Sequence, residues 1–247
     1  MVLCHRRITE RPCPAGTSDR DDRRRAEPRF SPELDMPATV PDLPDPADAL
    51  AKVGRRLDAR SLAPATAGNY SARLADGTIL ITRSGAHKGR LDAAQFMRVA
   101  VDGTAIDAGR SSAETLLHCL IYAVDPAAGA VLHTHSVAGT VLSRALAGRD
   151  GIELAGYELL KIFPGVATHE ASVTLPLVDN SQDMPALAAL LRPILLAQER
   201  LVPAFYIRGH GLYAWGPTLD AAEAMVEGCE FLLACAWEEM KLRGGGR

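Results

Sequence analysis

The chain has 247 residues, 47% of them hydrophobic and 23% charged, with 27 Lys and Arg against 30 Asp and Glu. That length holds one domain of about 200 residues or two small ones, and buries a core without covalent staples. A net charge of −3 excludes the basic surface of a dedicated nucleic-acid binder, and no run approaches the ~18 apolar residues of a membrane-spanning helix. MVLCHRRITE has arginines with no apolar run behind them, so it does not read as a secretory signal. The five cysteines, Cys4, Cys13, Cys119, Cys229 and Cys235, are odd in number and form no CxxC pair. The pattern fits a reduced, cytoplasmic protein.

Along the chain, the first 46 residues hold eight of the sixteen prolines and the cluster DRDDRRR at 19–25. Such a segment buries too little to offset its ordering entropy, so residues 1–45 read as a disordered extension. The composition break predicts a natural start at Met36. Residues 46–243 read as one globular domain. Leu50, Val53 and Leu57 predict a helix over 46–61. NYSARL (69–74) and TILITR (78–83), joined through Asp76-Gly77, predict a hairpin. Further helices are expected over 112–124, 136–147, 157–163, 184–198 and 219–242, with strands over 129–134, 173–178, 203–208 and 212–215. Interleaved helices and hairpin-linked strands predict an α/β fold of three layers around a mixed sheet.

His133 and His135, in VLHTHS, are the sharpest chemical feature. On a strand, residues two apart face the same way, so two imidazoles converge as a metal clamp. The alternative is two buried histidines satisfied by hydrogen bonds. His210 stands between Gly209 and Gly211, which allow a sharp turn and close approach. It completes a three-histidine set that leaves a coordination position open. Glu114 has two readings: a capping box with Ser111, or a carboxylate beside the metal. Glu158, in GYELLK, reads as a solvated helix residue or an acid/base group. Asn69, Ser84, Gly85, Lys88, Ser111 and Ser112 lie in small-residue, hydroxyl-rich segments that suit a phosphate. Neither a Walker A motif nor GxGxxG occurs, so nucleotide binding is not indicated.

GNYSARL, ITRSG, SSAETLLHCLIY, AVLHTHS and GHGLYAWG, in that order over residues 47–243, resemble the class II aldolase/adducin family. SGAHKGRL (84–91), HTHSVAGTVLSR (133–144) and the 156–183 segment ending in NSQD resemble its dehydratase branch. The resemblance implies an αβα sandwich with a mainly antiparallel sheet, assembled as a homotetramer. It implies one zinc per subunit on His133, His135 and His210. It further implies dehydration of 5-methylthioribulose 1-phosphate, a phosphorylated ketose, to 2,3-diketo-5-methylthiopentyl 1-phosphate in methionine salvage. Glu158 would be the acid/base glutamate, and Glu114 the carboxylate that aldolase members use at the metal. Animal dehydratases invoke a cysteine where this chain has Glu114 and Thr115, with Cys119 four residues on. A sugar-phosphate aldolase or 4-epimerase is the alternative that Glu114 keeps open. A non-catalytic adducin-like domain would have lost the histidines. No nucleic acid or membrane partner is expected.

Overall fold

The structure is a computed structural model that describes residues 45–244. The predicted extension and the start at Met36 fall outside the described residues, except for Asp45. That residue caps α1 (Pro46–Ala59): its carboxylate accepts from the Ala47 N–H, and Pro46 takes the first turn, where no N–H is needed. Then follow β1 (Asn69–Arg73), β2 (Ile79–Thr82), β3 (Phe96–Val99), α2 (Thr115–Val124), β4 (Ala130–Thr134) and α3 (Val137–Ala145). The chain continues through β5 (Gly151–Ala155), β6 (Ser172–Val178), α4 (Met184–Leu196), β7 (Ala204–Ile207), β8 (Gly211–Gly216) and α5 (Leu219–Gly244).

The eight strands form one sheet in the order β3-β2-β1-β4-β8-β7-β6-β5. Among these strands β6 and β7 pair in parallel, and the other neighbours pair antiparallel. The alternation of side chains sorts the core into two layers. Leu132, Tyr206, Leu212 and Ala214 pack with Leu50, Leu57, Leu142, Val226 and Leu232 of α1, α3 and α5. Val131, Phe205, Tyr213 and Trp215 pack on the other face with Leu117, Ile121, Leu187 and Leu191 of α2 and α4. The result is an α/β, three-layer αβα sandwich with a mixed, mainly antiparallel sheet.

Two strands, β3 and β5, were not anticipated. They are the two edge strands of the sheet, and both are short. The helix expected over 157–163 is a single short 3-10 helix, Glu158–Ile162. Among the described residues, no helix is long and apolar enough to cross a membrane. Cys119, Cys229 and Cys235 are free thiols.

Candidate active site

β4 runs at the centre of the sheet, and His133 lies opposite Asn69 of β1 and Tyr213 of β8. Its imidazole is fully buried and stacks on the Tyr213 ring, centroids 4.0 Å apart. β4 closes at Thr134, so His135 stands one residue past the strand rather than on it. A 2.8 Å bond from its N–H to the Leu62 carbonyl holds it. His210 comes from the turn between β7 and β8. Gly209 takes φ +64, and a side chain at 211 would sit 2.2 Å from the Thr134 oxygen and 2.7 Å from the His133 ring. Glycines on both sides therefore allow His210 to close on His133. The three imidazoles offer ligand atoms within 4.8 Å of one another, so this cluster could hold a metal ion.

Hydrogen bonding fixes the nitrogens. His133 donates from Nδ1 to the Leu212 carbonyl at 2.8 Å, which leaves the lone pair on Nε2. That Nε2 is buried and has no hydrogen-bond partner. A buried nitrogen in this state is what a metal ligand held by an outer hydrogen bond looks like. His210 Nδ1 lies 3.3 Å from Asn180 Oδ1, and its Nε2 is 2.9 Å from Glu114 Oε1. Glu114 Oε2 lies 3.7 Å from His133 Nε2. Burial pushes His133 well below its ordinary value and His135 down to about 4, with His210 reinforcing both. Burial opposes ionisation of Glu114, but the His210 bond, the neighbouring imidazoles and Asn69 outweigh it and bring Glu114 down to about 2. Neutral His133 and His135 beside an ionised carboxylate suit a divalent ion.

Glu114 does not form the capping box. α2 begins at Thr115, three residues later than expected, and the Glu114 side chain makes no bond to the helix N-terminus. Its carboxylate turns to the histidines, and Asn69 Nδ2 donates to it at 2.5 Å and to Ser112 Oγ at 3.0 Å. Asn69 Oδ1 accepts from His118 Nε2. With that proton on Nε2, His118 Nδ1 accepts from Ser71 Oγ at 2.7 Å, and Ser71 accepts from Tyr122 at 2.9 Å. The chain Tyr122, Ser71, His118, Asn69, Glu114 thus has one direction and ends on the carboxylate. Sequence reasoning missed His118, although Glu114 and His118 stand four apart on one helical face.

Ser84, Gly85, Lys88 and Ser112 line a cleft of about 310 Å³ that Glu114, His135 and His210 also line. Lys88 is 2% exposed, and Nζ donates to the Thr66 and Ala86 carbonyls at 2.7 and 2.6 Å. An ammonium has three N–H groups, so one remains; burial brings Lys88 down to about 8. Two expected phosphate contacts lie elsewhere. Asn69 is buried behind the cleft, its amide used by Glu114 and Ser112. Ser111 pairs with Arg83 through the backbone and does not line the cleft. Cys119 is buried away from the cleft lining, and burial raises its thiol to about 11. Glu158 is not brought to the cleft of its own chain. Its side chain is 70% exposed, paired with Lys161 and 3.7 Å from His169. Arg83 and Gln182 line the cleft and were not singled out.

Residues 48–237 match the family described as Class II Aldolase and Adducin N-terminal domain. A curated methylthioribulose-1-phosphate dehydratase of Gluconacetobacter diazotrophicus is 54% identical over 190 residues, covering 76% of this chain and 91% of that protein. The protein of the same name from Acidiphilium cryptum is 52% identical, covering 80% and 92%. Among solved structures, L-fuculose-1-phosphate aldolase from Thermus thermophilus superposes with a TM-score of 0.65 at 25% identity, covering 81% of this chain and 97% of that one. An aldolase II superfamily protein from Pseudomonas syringae has the same fold, with a TM-score of 0.63 at 21% identity, covering 81% and 79%.

Proposed function

We propose, from the premise that the chain belongs to the class II aldolase and adducin family, that it dehydrates 5-methylthioribulose 1-phosphate to 2,3-diketo-5-methylthiopentyl 1-phosphate in methionine salvage, working in the cytoplasm as a homotetramer. The observation that carries this is the three-histidine cluster, with His133 buried and His135 and His210 partly buried, opening onto a serine- and lysine-lined cleft. The relatives named dehydratase, about half identical along most of their length, support the branch. His133, His135 and His210 would hold one zinc per subunit, which supplies Lewis acidity at the substrate's ketone. Ser84, Gly85, Ser112 and the free N–H of Lys88 receive the phosphate and set the register of the sugar. Glu114, ionised and fixed by Asn69, orients His210 and accepts from a substrate hydroxyl.

The reaction removes the C3 proton and expels the C4 hydroxyl as water, and the enol tautomerises to the diketone. Glu158, entering protonated, gives its proton to the leaving hydroxyl, and the ionised Glu114 takes the C3 proton. In one chain Glu158 is exposed, and Lys161 holds it in the ionised form. A donor at neutral pH needs burial, which raises a carboxyl. Glu158 therefore acts in the cleft of a neighbouring subunit. The exposed apolar Leu159 and Phe231 beside it, 39% and 55% accessible, suit a subunit contact. The test is turnover of 5-methylthioribulose 1-phosphate by zinc-loaded protein. Diketone whose formation stops on chelation is the expected result. Dihydroxyacetone phosphate instead, from cleavage between C3 and C4, would move the activity to the aldolase branch with Glu114 as its base.

A further inference from the structure

The serine- and lysine-lined cleft does not end at the histidines. A second hollow opens beyond the His135–His210 pair, and both hollows share those two residues and Gln182. Their chemistry is opposite. The first presents Lys88, Ser84 and Ser112. The second is walled by Pro64, Val137 and Val141. Three of its polar members are already engaged. Ser136 Oγ accepts from the Gly139 N–H at 3.1 Å, Thr140 donates to the His210 carbonyl at 3.4 Å, and Asn180 meets His210 Nδ1 at 3.3 Å. Val137 and Val141 are 82% and 37% exposed on successive turns of α3, which buries Gly139, Leu142 and Ser143 on its other side. The valines serve neither the core nor helix propensity, since valine is a mediocre helix former.

We propose that this hollow is the subsite for the methylthio group of the substrate, with Val137, Val141 and Pro64 as its specificity-determining walls. The inference rests on the dehydratase reading above. In that substrate the phosphate on C1 and the thioether on C5 lie at opposite ends, with the reacting carbons between them. When the polar cleft takes the phosphate, the C4–C5 arm leaves past His135 and His210 into the second hollow. A thioether brings apolar surface and only a weak acceptor, so valine and proline suit it. A second phosphate on C5 would lose water against the valines and proline and meet only the neutral side chains of Ser61 and Gln182, which selects against pentulose bisphosphates.

The experiment compares kcat/KM for 5-methylthioribulose 1-phosphate with that for 5-deoxyribulose 1-phosphate, which carries hydrogen in place of the methylthio group. Zinc-loaded wild type is expected to prefer the thioether by about 10- to 200-fold, the range for a small apolar group in a fitted pocket. The double variant Val137→Ser, Val141→Ser should lose most of that preference through a higher KM for the thioether. Val137→Phe, which fills the hollow, should do the same. Light scattering on each variant gives its assembly state. An undiminished preference in both variants, or variants that fall apart into smaller assemblies because the valines are a subunit contact, overturns the subsite. Wild type that dehydrates neither compound overturns the dehydratase reading itself, and the subsite with it.

Discussion

At the scale of single residues, the histidine that no motif pointed to governs how Glu114 is held. His118 is wholly buried, and burial brings it down to about 3 from an unfolded value of 6.5. It is the neutral link between Ser71 and Asn69. Replacing it with leucine leaves Asn69 Oδ1 buried without a partner and takes from the Ser71 hydroxyl its acceptor, although Tyr122 still bonds it; the cost is ~1–3 kcal/mol near pH 7. The pH dependence runs the other way. A histidine whose folded value is depressed stabilises fully above pH 6.5, and that contribution falls by about 1.4 kcal/mol per unit as acid protonates the unfolded chain first. The leucine variant lacks that loss, so urea melts of the two proteins should converge between pH 7 and pH 4. A gap that stays constant over that range would show that His118 is not held neutral. The three-histidine cluster was legible because VLHTHS keeps two histidines close in the chain, even with His135 one residue past the strand, and GHG brings the third in between glycines. Glu114 was legible only as two rival readings, because sequence does not say where the first turn of α2 closes. His118 was hidden inside an apolar helix, where a buried polar residue looks like a lapse in pattern.

At the scale of elements, the legible parts were those whose signal is local. The β1–β2 hairpin follows from Asp76-Gly77, with Gly77 at φ +84. α4 begins where Asp183 accepts from the Ala186 N–H and Pro185 follows. β3 and β5 were illegible because each has only four or five residues and no tight-turn signal joins it to its partner, the neighbouring strand in the chain. Only the sheet makes them strands. The short helix expected over 157–163 is present, wound as the 3-10 segment Glu158–Ile162. The antiparallel pair of β4 and β8 is the one on which the site depends. Gly211→Ala places a methyl 2.2 Å from the Thr134 oxygen, so the two strands must part where His133 and His210 converge. The expected cost is ~1–3 kcal/mol in a thermal or denaturant melt. Metal affinity measured against a competing chelator should fall about 10- to 100-fold, as when support behind a ligand is lost. Unaltered affinity alongside lowered stability would separate this strand contact from the centre.

At the scale of the whole molecule, the two halves of the proposed chemistry lie on different parts of one chain. The histidines sit at the centre of the sheet, and Glu158 sits on an exposed 3-10 helix beside Leu159 and Phe231. Two inactive variants distinguish assembly from local rearrangement. His135→Ala removes one imidazole of the proposed metal centre and should lose both bound zinc and turnover. Glu158→Gln keeps all three histidines and should hold zinc, yet lose several orders of magnitude in rate. Co-expressed in one cell, the two subunits mix. A site then works when its histidines come from the glutamine chain and its glutamate from the alanine chain, which in a random symmetric oligomer is about a quarter of all sites. Recovery near that fraction, in protein that elutes as a tetramer, is the expected outcome. If the mixture stays inactive while each variant still assembles, Glu158 does not reach across subunits. If Glu158→Gln alone retains full activity and Glu114→Gln does not, the acid/base role passes to Glu114, which already stands 2.9 Å from His210 in every subunit.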